Sequence, residues 1–270
     1  MRARPLLGTM VTIGVPTCAH EPQTFEAVQE ALAIVAHVGR VMSAHDPQSD
    51  LGRMAMARPG EVLTVDAHTT AVLRAAQYWT RQSAGAFNPV RAARVLARQQ
   101  RRAGLSTETP AGVNLDDVTI LADTQVKMAA AVPIDLGGIA KGYAVDRAIE
   151  VLVRHGLRQA IVNAGGDIRA WGDKGFAVDV RHAGHGLRDR ALAWPYRLRQ
   201  QAMATSVADV QATDFVRTSQ TGRAGWTSAT VIAPDCMSAD ALTKWALQSS
   251  RLCPRLKAVL REHRARMWRS

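Results

Sequence analysis

Pro133-Ile-Asp-Leu-Gly-Gly-Ile-Ala-Lys-Gly-Tyr-Ala-Val-Asp146, followed by Asn163-Ala-Gly-Gly-Asp167, is the stretch on which the reading of this chain turns. An apolar run ends at Asp135, adjacent glycines follow at Gly137 and Gly138, and Lys141 and Gly142 lead into a helix-forming segment. Glycine has no Cβ, so the backbone at such a turn can approach a ligand closely. The start of a helix offers unpaired N–H groups and the positive end of its dipole, both suited to a phosphate. Lys141 would add a full charge in the same place. A second turn, Ala164-Gly165-Gly166, carries Asn163 and Asp167 on its two sides. Together the turns point to a nucleotide or dinucleotide site, although a glycine-rich turn by itself can also serve backbone geometry alone. They are not a P-loop, because the Gly-Lys-Ser/Thr order is missing. Nor are they a Rossmann fingerprint, because Gly137-Gly138-x-x-x-Gly142 lacks the Gly-x-Gly-x-x-Gly spacing.

Outward from these turns, strand and helix signals intermix without a strict βαβ rhythm. Leu7–Val15 alternates as a strand, and Thr24–Met42 places Phe25, Val28, Leu32, Val35 and Val38 along one side of a helix. Asp46-Pro47 and Ser49-Asp50 read as a turn and a helix cap. Helices are expected over Asp66–Ala84 and Arg91–Ala103, the arginines of the second facing outward at four-residue steps. Thr119–Ala122 and Gln125–Met128 read as a short hairpin, and Tyr143–His155 as a helix stopped by Gly156. Gln159–Asn163, Ile168–Trp171, Phe176–Arg181 and Thr227–Ala233 read as strands. A last helix is expected over Asp240–Leu252, with N-terminal acids that suit its dipole. The fold class that follows is α+β, with mixed sheets and packed helices. No linker or repeat divides residues 1–270 into separate domains; Arg251–Ser270 reads as a basic tail.

With 270 residues, 47% hydrophobic and 21% charged, the chain has an ordinary globular composition and length for a sizeable core. Cys18, Cys236 and Cys253 are too few and too scattered for a disulfide framework or a zinc site. No run approaches the ~20 apolar residues of a membrane helix. Met1-Arg-Ala-Arg4 and the apolar stretch after it imitate a signal peptide, but Gly8, Thr9 and Thr12 interrupt that stretch and no small-x-small cleavage site follows. As written the sequence reads as cytoplasmic, and as periplasmic if the true start lies upstream. The net charge of +11 concentrates in Arg91–Arg102 and Arg251–Arg269. Such runs usually form a solvated face, and the first has few aromatics to stack single-stranded bases, so no specific nucleic-acid partner is expected. His45, His68, His155 and His182 are expected at the surface or capped in the core, and Trp171, Trp194, Trp226 and Trp245 in the core.

The two glycine turns and five further segments resemble the ApbE family of FAD:protein FMN transferases. Leu7-Gly-Thr-Met-Val-Thr-Ile13 is similar to the family's opening strand, and Met42-Ser-Ala-His-Asp-Pro-Gln-Ser-Asp-Leu51 to its Met-Ser-x-x-x-Pro-x-Ser-x-Leu segment. Gly85-Ala-Phe-Asn-Pro89, Ala204-Thr-Ser206 and Val231-Ile-Ala-Pro-Asp-Cys-Met-Ser-Ala-Asp-Ala-Leu242 follow in the family's order. The resemblance implies that the protein binds FAD and Mg²⁺ and that a Thr or Ser hydroxyl of an acceptor flavoprotein attacks the flavin-side phosphorus. AMP leaves and FMN stays on the acceptor. Carried over by residue, the implied flavin contacts are Met42, Ala86, Phe87, Asn88, Asp135 and Lys141; from the reading of the second turn, Asn163, Gly165, Gly166 and Asp167 are expected beside them. The implied metal positions are the Gly138 carbonyl and the Asp240 carboxylate, and Asp240 and Lys141 are expected to carry the chemistry. A monomer or weak dimer is expected.

The chain departs from the family pattern in three places. Members place a Thr four residues after the metal Asp, whereas here Thr243 lies at three and Lys244 at four. Both offsets share the Asp240 side of a helix, so either Thr243 completes the metal site or the Lys244 ammonium takes the metal's place. Thr243 is the expected ligand. The His that precedes a hydrophobic-hydrophobic-Asp-Pro-x-Thr-Gly run falls near Phe215, with only Thr221-Gly222 in register, and Arg91-Ala-Ala-Arg94 replaces a Gly-Pro-Leu. Asp209, Asp214 or His182 would then be the substitute base. Two other readings therefore stand beside transfer: a homologue that binds flavin without transferring it, and an FAD pyrophosphatase giving FMN and AMP.

Overall fold

In the computed structural model of the chain, residues 1–16, 21–102, 112–181, 193–208, 226–249 and 253–269 are described. Strand β1 (Arg2–Leu6) turns back on β2 (Thr9–Gly14), which pairs with β6 (Ala160–Ala164). From there the sheet runs through β7 (Asp167–Trp171), β10 (Gln201–Val207) and β11 (Ser228–Ala233) to β12 (Arg266–Arg269), seven strands in all. A three-stranded sheet orders β3 (Val62–Thr64), β5 (Gln125–Met128) and β4 (Val118–Ala122), and β8 (Phe176–Arg181) pairs with β9 (Ala193–Leu198). The α+β class stands. Within it, every strand pair among the described residues is antiparallel.

Side-chain alternation along the strands separates two cores. Ala160, Val162 and Ala164 of β6, Ala202 and Ala204 of β10, and Val231 and Ala233 of β11 join the large cluster under the helices. Ile168 and Ala170 of β7, Met203 and Ile232 face the other way, onto Val178, Val180 and Leu198 of the β8–β9 hairpin. All six residues of β11 are buried, as a strand covered on both faces requires.

The helices are α1 (Glu21–Val41), α2 (Asp50–Ala55), α3 (Ala67–Gln82), α4 (Pro89–Arg102), α5 (Ala140–Arg154), α6 (Cys236–Gln248) and α7 (Pro254–Glu262). Two of them set the site: α5 lies on β6 and β7, α6 on β10 and β11, and the two touch. α1 packs on α5, and its Ala27, Val28, Ala31, Leu32, Val35 and Val38 form a helical stripe buried in the large core. Phe25 was expected in that stripe but is 51% exposed, with the Arg2 guanidinium over its ring.

Other expectations are corrected. The basic Arg251–Ser270 segment is not a tail over its described part, because α7 buries Leu256, Val259 and Leu260 and β12 closes the sheet edge. α6 begins at Cys236, capped by Asp235, so Asp240 lies inside the helix and not at its start. The α4 arginines do not all face outward: the Arg91 guanidinium turns back to donate to the Ala86 carbonyl at 2.8 Å, and Arg94 reaches the Val113 carbonyl at 3.0 Å. Trp245 is buried, whereas Trp171 and Trp226 are half-buried, the latter under the Arg269 guanidinium. No helix among the described residues is long and apolar enough to cross a membrane.

Candidate functional site

The β6–β7 hairpin closes on Gly165 and Gly166, whose φ angles of 64° and 103° are those a two-residue turn of this hand needs. Asn163 Oδ1 accepts the Gly166 N–H at 2.9 Å, and a Cβ on Gly165 would stand 2.5 Å from the Thr9 hydroxyl. The turn delivers Asp167 to the first position of β7, where it is buried. Facing it, Asp135 Oδ1 accepts the Gly137 N–H at 2.8 Å and bends the chain into α5. Ile139, the N-cap residue of that helix, supplies no side-chain cap, and Lys141 reaches back from the first turn to the Gly137 carbonyl at 3.1 Å.

α6 enters from the other side. The Asp146 carboxylate of α5 accepts the Cys236 and Met237 N–H groups, each at 2.9 Å, so the start of α6 is fastened to α5. Gly142 permits the approach, since a Cβ there would stand 2.3 Å from the Cys236 carbonyl oxygen. The crossing brings Asp240, wholly buried, beneath Lys141. Asp240 Oδ2 accepts the Gly142 N–H at 3.3 Å and lies 3.6 Å from Lys141 Nζ, while Oδ1 lies 3.0 Å from Lys244 Nζ. Lys141 Nζ also pairs with Asp167 Oδ2 at 2.8 Å, and Lys244 Nζ donates to the Ser206 hydroxyl on β10. Two ammonium groups and two carboxylates thus form one compact quartet.

Burial opposes charge at Lys141, Asp240 and Asp167, and the partners decide the outcome. At Lys141 burial is outweighed by Asp240 and Asp167, which raise its pKa above the usual lysine value. Asp240, desolvated but facing Lys244 and Lys141, is held below the usual carboxylate range. Burial and the Asp240 charge push Asp167 up to about 6 against the pull of Lys141. A carboxyl whose folded pKa exceeds its unfolded value of about 3.9 makes its ionised form a cost to the fold, present above the folded pKa and relieved as pH falls toward the unfolded one. The wild type should therefore gain stability relative to Asp167→Asn, on the order of 1–2 kcal/mol, between about pH 7 and about pH 4.5. Urea titrations of both proteins check this. A flat or opposite trend would mean the Asp167 environment is misassigned.

A cleft of about 500 Å³ opens above the quartet, within the range of small-ligand sites. Gly137, Gly138, Gly165, Lys141 and Lys244 line it together with the apolar side chains of Phe87, Val95, Leu96 and Leu247. A ligand with both an aromatic and a phosphate-bearing part matches that mixed lining. A hollow of about 880 Å³ between α1 and α5 is larger, but its charges are spent on one another: Glu30 pairs with Arg154 and His155, and Arg147 with Glu150.

Of the residues expected at the site, Ala86, Phe87, Asn88, Asp135, Gly138, Lys141, Gly165 and Asp167 line the cleft. The Asn88 side chain also caps α4 by accepting the Arg91 N–H at 3.0 Å. Met42 is not at the cleft but in the large core, and Asn163 and Gly166 shape the hairpin turn without lining the cleft. The expected metal set is not assembled either. Thr243 Oγ donates to the Asp240 carbonyl at 2.7 Å and lies 2.7 Å from Ser206 Oγ, fully buried. Both Asp240 carboxylate oxygens already have donors, and the Lys244 stem fills the space beside Gly138, within 3.1 Å of where a Cβ would be. These residues do not fit a divalent cation, which needs a free carboxylate oxygen from the site beside its waters and substrate phosphates. The sequence reading missed Ser206 as a partner of Lys244 and Asp146 as the fastener of α6. The adjacent hydroxyls Thr205 and Ser206 on the otherwise apolar run Ala202–Val207 were the available signal. Cys18, His182, Asp209, Asp214, Phe215 and Thr221-Gly222 lie outside the described residues.

The sequence profile of the ApbE family matches residues 7–251, which take in both glycine turns, Asp240 and Lys244. The chain belongs to the ApbE family. It is similar to the FAD:protein FMN transferase of Treponema pallidum (strain Nichols), 27% identical over 208 residues, which is 67% of this chain and 54% of that protein. A 61-residue stretch is 43% identical to the FAD:protein FMN transferase of Rhodobacter capsulatus, covering 23% of this chain and 12% of that one. The chain thus spans about half the length of the first of these curated relatives. Among solved ApbE structures, the flavin transferase of Vibrio cholerae superposes with a TM-score of 0.76 at 21% identity, over 99% of this chain and 92% of that one. The apbe protein of Thermotoga maritima does so at 0.76 and 23%, over 99% and 93%. At these identities the likeness establishes the ApbE fold.

Proposed function

We propose that this chain transfers FMN from FAD to a Thr or Ser hydroxyl of an acceptor flavoprotein, with release of AMP. The observation that carries the reading is the pairing, in one cleft, of apolar side chains with glycine turns and two lysines braced by buried carboxylates. The relatives' shared name points the same way. FAD suits the cleft's mixed lining: its isoalloxazine ring matches apolar side chains such as Phe87, and its diphosphate the Gly137–Gly138 turn, Lys141 and Lys244. In the step, the acceptor oxygen forms a bond to the flavin-side phosphorus. The bond from that phosphorus to the bridging oxygen breaks, and AMP leaves with the electron pair. The hydroxyl proton goes to a base, for which Asp209, Asp214 and His182 are the candidates of the sequence.

Such a step is catalysed mostly by positioning and by neutralising charge that moves onto the leaving phosphate. Here that work falls to Lys141 and Lys244. Asp240 and Asp167 hold the ammonium groups in place, so they need not reorganise when the diphosphate arrives.

Incubation with FAD and a candidate acceptor tests the reading. Flavin that stays on the acceptor through a denaturing gel, with equimolar AMP, is the expected result. AMP without labelled acceptor would replace transfer by pyrophosphate hydrolysis, and FAD returned intact from a bound complex would leave a flavin-binding homologue. Failure to bind FAD at all would remove the reading.

A further inference from the structure

We propose that the Lys244 ammonium is a built-in cation at the diphosphate site, so that this protein binds and uses FAD without a divalent metal. The inference rests on the reading of the cleft as an FAD site and adds a requirement of its own. Its first support is position. Lys244 lies four residues after Asp240 on α6, one helical turn along the same side. Its ammonium sits 3.0 Å from Asp240 Oδ1 and on the Ser206 hydroxyl, and Lys244 lines the cleft.

The second support is space. The Lys244 side chain runs over Gly138, its Cγ and Cε 3.1 and 3.2 Å from where a Cβ would stand. The stem thus takes up room beside Gly138 that a cation held between this turn and α6 would need. Thr243, the hydroxyl expected to complete such a site, points into the α6–β10 contact.

The third is charge. Lys141 and Lys244 already balance Asp240 and Asp167, so the quartet is neutral as it stands. A divalent ion added beside two ammonium groups would carry the buried cluster to a net +2, which low-dielectric surroundings penalise heavily. A diphosphate meeting two ammonium groups gains charge-assisted hydrogen bonds with no ion to recruit. Ser206 and Asp240 hold Lys244 at the mouth of the site, and Asp167 and Asp240 hold Lys141 beside it.

The test measures FAD affinity of the full chain by flavin fluorescence, first with chelator and then with millimolar Mg²⁺. The wild type should bind equally in both, within about twofold. Lys244→Thr puts a hydroxyl four residues after Asp240 and clears the space over Gly138. It should lose about tenfold or more of its affinity in chelator and recover much of it with Mg²⁺. Lys244→Met keeps the stem without the charge, and should lose as much but gain nothing from Mg²⁺. Thermal melts confirm that both variants fold. Wild-type binding that collapses in chelator, or Lys244→Met binding as tightly as the wild type, overturns the proposal while leaving the FAD site standing. Absence of binding with and without metal overturns both.

Discussion

Asp240→Ala should destabilise the protein by about 3–5 kcal/mol and remove measurable FAD affinity, the scale seen when one member of a buried ion pair is deleted. The carboxylate is wholly buried and answers two donors, Lys244 and the Gly142 N–H, with the Lys141 ammonium 3.6 Å away. Without it, Asp167 alone faces two ammonium groups, and the Gly142 N–H loses its acceptor where water has little access. Asp240→Asn keeps an acceptor oxygen but not the charge, so it should cost less stability while still weakening FAD binding. A double-mutant cycle separates the pair from the fold. If Lys244 is held chiefly by Asp240, Asp240→Ala combined with Lys244→Met should lose clearly less than the sum of the single losses. Urea denaturation gives the stability and flavin fluorescence the affinity. A loss below about 1 kcal/mol with FAD binding intact would remove the quartet as the organising feature of the site.

How far the sequence exposed this arrangement depends on where each constraint acts. The Gly165–Gly166 turn was readable because positive φ at two successive positions selects glycine locally. α5 and β6 were readable because their buried stripes repeat at the helical and strand periods. β1 was not, since four of its five residues are exposed and show no alternation. α7 was hidden because a short stripe, Leu256, Val259 and Leu260, lies among basic residues that dominate the local composition. The site shows the same division. Lys141 and Asp240 each announce a chemistry, but Gly142 and Asp240 lie 98 positions apart and meet only because α5 and α6 cross. Thr243 and Lys244 share a helical face, so periodicity could not choose between them. Ser206 and the open space at Gly138 made the choice, and both arrive from elsewhere in the chain.

That crossing yields the second large effect. Gly142→Ala should destabilise the protein by roughly 3 kcal/mol, the upper part of the range for overpacking. Helix propensity alone argues the opposite sign, because alanine in a helix interior is usually favoured over glycine by about 0.5–1 kcal/mol. Space decides it. The added methyl would stand 2.3 Å from the Cys236 carbonyl oxygen, 2.7 Å from its carbon and 2.9 Å from the Met237 Cα. All three are backbone atoms at the start of α6, which Asp146 and Asp235 both fasten, so no rotamer change relieves the clash. α6 must shift as a body, carrying Asp240 away from Lys141, and FAD affinity should fall with stability. Gly39→Ala supplies the contrast, since that methyl meets only the Leu7 Cδ2 end, at 2.9 Å, and leucine can turn aside. Denaturation midpoints of the two variants should therefore separate widely, with Gly39→Ala near the wild type. If Gly142→Ala is as stable as Gly39→Ala, α5 and α6 are not in backbone contact, and the placement of Asp240 under Lys141 falls with that contact.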